Sequence, residues 1–153
     1  MSFLALALFI LFLPIFSDAE GIKWQSYKDG IATGKAEGKK IFVNFYADWW
    51  TFCRKMEAES FTRPEIVQYL NSRFIPIRTN IDKEKKIASN YFVRTLPSSW
   101  FLEPDGSKIT SIPGYVDPDT FLVILKYIAS SSYKKMTLKE FFNSQKWGQV
   151  AKG

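Results

Sequence analysis

One α/β domain, a central mixed sheet flanked by helices, is the architecture this sequence predicts, and three features predict it. Ile41-Phe42-Val43 and Phe45-Tyr46 make a nearly continuous run of β-branched and aromatic residues, as expected of a strand covered on both faces. Immediately downstream, Trp49-Trp50-Thr51-Phe52-Cys53 passes into Arg54-Lys55-Met56-Glu57, a loop opening into good helix formers. Farther on, two strand-like runs flank Pro104-Asp105-Gly106, turn chemistry that signals a hairpin and hence an antiparallel part of the sheet. At 153 residues the chain can bury one sizeable core and is short for two.

In chain order, residues 20–40 predict a first helix, with Trp24, Tyr27, Ile31 and Ala32 recurring at helical spacing while Gly30 and Gly34 loosen it. Gly38-Lys39-Lys40 ends that helix and feeds the central strand. After the helix carrying Cys53, Thr62-Arg63-Pro64-Glu65 supplies a Thr N-cap, a proline in the first turn and a capping-box Glu. The helix that follows buries Ile66, Val67, Tyr69 and Leu70 and stops near Asn71. Phe74 to Asn80 is the next strand, parallel to the first, with Pro76 an awkward residue for a strand interior. Lys83 to Tyr91 is a short charged helix, and Val93 to Leu96 leads to Pro97. Ser98–Leu102 and Lys108–Ile112 are the hairpin strands. Asp117-Pro118 caps a last large helix whose stripe is Phe121, Leu122, Leu125 and Ile128. Beyond Tyr133, residues 134–153 form a short helical extension with a second Thr-x-x-Glu box at Thr137 and Glu140. Its Phe141, Phe142 and Trp147 predict that it docks on the domain rather than trailing free.

Composition narrows the chemistry. There is no histidine and a single cysteine, so Cys-His and Ser-His nucleophile pairs and zinc sites of the usual ligand types are excluded; no metal or other cofactor is expected. The apolar run Phe3–Phe16, followed by Ser17-Asp18-Ala19, has the length of a secretory h-region with small residues at its end. Residues 1–19 are therefore read as a signal peptide, though its start lacks Lys or Arg, and an uncleaved anchor is the rival reading. Export implies an oxidising compartment, a bacterial periplasm, with membrane association only if the leader is retained. Cleavage after Ala19 removes Asp18 alone among charged residues and raises the net charge from +6 to +7. The lysines are spread along the chain, as on a solvated surface, with a weak preference for acidic partners as the functional alternative. No nucleic-acid motif accompanies them.

The segment Phe45-Tyr46-Ala47-Asp48-Trp49, with Thr51-Phe52-Cys53 and Arg54-Lys55-Met56-Glu57 after it, resembles the active-site segment of secreted thioredoxin-like proteins. It is most similar to periplasmic thiol–disulfide reductase domains whose motif reads F-Y-A-D-W-C-x-x-C-K. Tyr91-Phe92-Val93-Arg94-Thr95-Leu96-Pro97 resembles that family's segment ending in a cis-proline, and Phe101-Leu102-Glu103-Pro104-Asp105-Gly106 its hairpin. The resemblance runs over about residues 22–130 and implies a thioredoxin fold for residues 20–133. It also implies a protein or peptide substrate, and a loop at Leu96-Pro97 that offers its backbone to that substrate; the other reading of Pro97 is an ordinary trans turn proline.

Two departures bear on function. Trp50 stands where the family has its attacking cysteine, and Cys53 holds the place of the resolving one. Asn44 stands where many relatives keep a buried Asp, and an amide cannot take up a proton. Two function classes follow. In one, the chain is a thiol–disulfide oxidoreductase relative limited to monothiol exchange, with Cys53 forming a mixed disulfide with a partner. In the other, Cys53 is a small buried hydrophobe, and Trp49, Trp50, Leu96 and Pro97 make a redox-inactive, chaperone-like groove for an extended peptide.

Overall fold

Strand β1 (Lys40–Tyr46) is the axis of the molecule. Its apolar residues leave it buried on both faces, so it needs a neighbour on each edge and a helical layer above and below. The structure, a computed structural model, describes residues 20–150. The expected leader, residues 1–19, and the side chain of Trp147 lie outside the described residues. Among them, four strands form one sheet in the order β2-β1-β3-β4. Strand β2 (Phe74–Asn80) pairs parallel to β1, with Asn44 opposite Arg78. Strand β3 (Ser98–Leu102) pairs antiparallel to β1, with Asn44 opposite Ser99, and β4 (Lys108–Pro113) returns antiparallel to β3. This is the mixed sheet of the expected thioredoxin fold.

Alternation along β1 divides the core. Phe42 joins Met56 of α2 (Thr51–Glu59), Ile66 and Leu70 of α3 (Pro64–Arg73), and Phe121 of α5 (Pro118–Ala129) on one face. Ile41, Val43 and Phe45 face the other way, against Tyr27 and Ile31 of α1 (Tyr27–Glu37) and Ile87 of α4 (Lys85–Asn90). Helix α6 (Leu138–Val150) docks through Phe141, whose ring lies 5.4 Å from that of Tyr127. Its capping box forms as expected: Glu140 accepts from the Thr137 N–H at 2.7 Å.

Several expectations need correction. Helix α1 begins at Tyr27 rather than near residue 20, because Ser26 caps it by accepting the Asp29 N–H. Trp24 instead lies in the preceding segment, its ring 5.2 Å from Phe61. Gly30 and Gly34 do not loosen α1; they let it approach the sheet. A Cβ at Gly30 would come 2.2 Å from Ile77 and one at Gly34 2.6 Å from Ile41, while Ala32 faces solvent. Thr62 does not cap α3. Its hydroxyl bonds back to the Ala58 carbonyl at 2.6 Å and Arg63 becomes the N-cap, while the helix runs on to Arg73. Val67 and Tyr69 are only half-buried, and the charged helix contracts to Lys85–Asn90. Pro76 is accommodated because β2 has β1 on one side only. The Pro76 carbonyl turns away from β1 to accept the Gln25 N–H at 2.9 Å, so the missing proline N–H deprives β1 of nothing.

Candidate functional site

The chain leaves the carboxyl end of β1 through Ala47, which is buried, and Asp48, which is exposed, and Trp50 becomes the N-cap of α2 without a side-chain capping bond. Cys53 is therefore in the first turn of α2, where free N–H groups and partial positive charge would favour a thiolate. Burial opposes that. Cys53 is only 4% exposed, and desolvation pushes its thiol above the ordinary value, against smaller downward effects from a backbone hydrogen bond at Ala47 and the charge of Arg78. Arg78 is held beside it by a two-pronged ion pair to Glu57, both contacts at 3.0 Å, and lies over the Tyr46 ring at 4.0 Å. Neither Arg78 nor Glu57 stands out in the sequence. The one signal was a lone charge in the strand Phe74–Asn80.

Trp50 is tied to the loop that precedes Pro97. Its indole N–H donates to the Leu96 carbonyl at 2.8 Å, a contact across 46 residues, and the Leu96–Pro97 peptide bond is cis. Trp49, Trp50, Arg94, Thr95 and Leu96 line a hollow of about 250 Å³, so three residues singled out from sequence converge on one place, Trp49, Trp50 and Leu96, while Cys53 is buried in the first turn of α2 and is not in its wall. Pro97 is buried beside the hollow rather than in its wall. Trp49 stands out from the surface, 61% exposed. Its indole N–H donates to Asp82 at 2.8 Å. Asp82 in turn gives its own N–H to the Asn80 side chain, which donates to Asp48, so two surface loops are tied together around Trp49. A larger hollow of about 560 Å³, between Glu20–Lys23 and α3, shares no residue with this site.

Asn44 lies on the α2 face of the sheet, 1% exposed, and its amide nitrogen has no hydrogen-bond partner among the described residues; nor has the hydroxyl of Ser99 opposite it. An orphaned buried polar atom costs about 1–3 kcal/mol. A carboxylic acid at this position would not carry that amide nitrogen.

A thioredoxin-fold domain with a one-cysteine loop is the class that this topology and site define. Residues 27–129 match the family model described as thioredoxin-like domain, and the chain belongs to that family. It is 32% identical over 95 residues to the thiol:disulfide interchange protein DsbD of Pseudomonas fluorescens, and 30% identical over 97 residues to DsbD 2 of Pseudomonas aeruginosa. Those matches take in 59% and 60% of this chain but only 16% of each relative. Among solved structures, a thioredoxin from Thermus thermophilus superposes with a TM-score of 0.65 at 22% identity, over 71% of this chain and 88% of that one. The C-terminal domain of Neisseria meningitidis DsbD in the oxidised form superposes at 0.56 and 24% identity, covering 65% and 90%. At such identities these two structures speak for the fold alone. Among the described residues, no helix is long and apolar enough to cross a membrane.

Proposed function

We propose that this protein is an exported thioredoxin-like module that does not run a two-cysteine exchange cycle, and that it grips extended protein or peptide segments in the hollow between Trp49, Trp50 and Leu96. The observation that carries this reading is the pairing of a buried, proton-retaining Cys53 with an indole at the outer position, bonded to the Leu96 carbonyl. Disulfide exchange needs an accessible thiolate to attack one sulfur and a second thiol to release the mixed disulfide. Cys53 is the only cysteine. The Trp50 indole occupies the backbone acceptor that the family resemblance assigns to substrate, and an incoming chain would exchange with it there. The bacterial periplasm is the proposed setting, resting on the apolar leader-like run Phe3–Phe16.

A second reading keeps monothiol chemistry, and the charge of Arg78 near Cys53 favours it. A Cys53 thiolate would attack a partner disulfide and release one partner thiolate. The other partner sulfur would stay bonded to Cys53, with no internal thiol to free it.

Insulin reduction and two substitutions test the proposal. The full chain is expected to leave the rate with dithiothreitol unchanged. Trp50→Cys is expected to form an oxidisable pair with Cys53 and to gain modest reductase activity, and Asn44→Asp to raise it further by supplying a buried carboxylate that can take up the proton of the Cys53 thiol, its basicity raised by desolvation. Catalysis by the unsubstituted chain would refute the redox-silent reading. A folded Trp50→Cys protein that forms no disulfide on oxidation would show that the loop has left redox geometry, and would strengthen it.

A further inference from the structure

Beyond the Trp49–Trp50 hollow lies a second one of about 340 Å³, lined by Ile81, Lys85, Ala88, Ser89, Phe92, Val93 and Arg94. Arg94 is in both walls, so the two hollows adjoin at this residue of the loop that precedes Pro97. Two features of this second hollow have no role in the fold. The first is Phe92. It is 78% exposed and sits at φ 51°, the left-handed region, in the position after the last turn of α4 where glycine is the usual residue. A side chain there is strained, and a ring so exposed recovers little of its hydrophobic transfer free energy, so the position works against stability twice. The second is charge. Arg94 and Lys85 are exposed, and among the described residues neither is within ion-pair distance of a carboxylate; Arg54 and Arg73 share that state, whereas Arg63 and Arg78 are paired.

We propose that these hollows form one recognition groove, and that its partner is an extended peptide segment in which an acidic side chain adjoins aromatic or aliphatic ones. This rests on the peptide-binding reading above and names the class of segment it takes. The Trp49 and Trp50 rings, 5.7 Å apart and edge to face, provide one apolar station and Phe92 the other. Between them Arg94 meets a carboxylate with two parallel N–H donors, and Lys85 adds a second positive charge on the far wall. An extended chain advances about 3.3 Å per residue with side chains alternating, so one that lays its apolar residues on the two aromatic stations can direct an intervening acidic residue toward Arg94. Arg94 and Lys85 are the charged residues lining the two hollows, with the Asp82 and Asp48 carboxylates engaged beside Trp49 by the Trp49 indole and the Asn80 amide, and the two cations fit that partner.

The test uses the full chain as bait for a positional-scanning set of cysteine-free octapeptides, with bound peptides identified and the best sequence titrated by tryptophan fluorescence. Enrichment of Asp or Glu beside aromatic or aliphatic residues is the expected result. Arg94→Gln should weaken the best acidic peptide about fivefold, the upper range for an exposed charge pair, and leave its Asn or Gln counterpart unchanged. Phe92→Gly, which relieves the strained backbone and so should fold, should remove the apolar preference at one station. Apolar enrichment without acidic preference would overturn this inference and leave the peptide-binding reading standing. If no peptide is enriched by the unsubstituted chain, both fall.

Discussion

Aromatic side chains occur in two opposite situations in this molecule. Phe42, Phe74, Phe101 and Phe121 are wholly buried and interlock, with Phe42 5.4 Å from Phe101 and 5.6 Å from Phe121. Trp49, Trp50 and Phe52 stand at the surface on the Cys53 loop, meeting chiefly one another, at 5.7 and 6.1 Å, and Phe92 is exposed just after α4. The residue types are alike, and so is the free energy each could gain by leaving water, roughly 25 cal/mol for every Å² of apolar surface. Folding collects that gain for the first set and forgoes it for the second. A cluster that contributes little to stability yet surrounds the carboxyl end of the central strand is understood more readily as a contact surface than as part of the core.

The largest effect that would break this contrast lies in the core. Phe42→Ala should cost about 3–5 kcal/mol, since it removes a ring packed from several sides and leaves a cavity. Denaturant unfolding measures it, and a loss below 1 kcal/mol would mean that the buried set is not what holds the sheet to α3 and α5. Phe92→Gly should move stability in the other direction, by about +1 kcal/mol, because glycine takes the left-handed conformation without strain. A loss on this substitution would show that the exposed ring supports the fold after all.

The smallest effect concerns the thiol beneath the exposed cluster. Burial raises the pKa of Cys53, so the folded state holds the proton more tightly than the unfolded chain does. That contribution is complete below the ordinary thiol value of 9.0 and is lost as pH rises through the higher folded value. The stability difference between the unsubstituted protein and Cys53→Ala should therefore narrow above pH 9.0. Iodoacetamide should modify Cys53 slowly in the native state at neutral pH and readily after unfolding. Fast native alkylation would place the thiol in solvent and favour the monothiol reading.

What the sequence determined by itself is what short-range rules govern. The β1 run, the hairpin around Pro104-Asp105-Gly106, the Asp117 cap that accepts the Thr120 N–H and the Thr137–Glu140 box all depend on residues a few positions apart. The loss of the outer cysteine was equally legible, because a motif with one position changed is still a motif. Local signals failed where a competing partner lay close by. Thr62 could cap α3 or bond back to Ala58, and the backward bond won. They were silent wherever the partner lay far along the chain. Gly30 and Gly34 read as helix loosening until the sheet placed Ile77 and Ile41 against them. Trp50 reaches Leu96, Trp49 reaches Asp82, and Arg78 comes to stand by Cys53 because the β1–β2 and β1–β3 registers bring those strands side by side. Arg94 connects two hollows only once the loop before Pro97 has been laid beside α4 and the Trp50 turn. Periodicity and capping are settled within a turn or two of chain, whereas which surface a side chain meets depends on the packing of the whole sheet. The tertiary structure alone therefore decided that Cys53 is covered and that the aromatics above it are not.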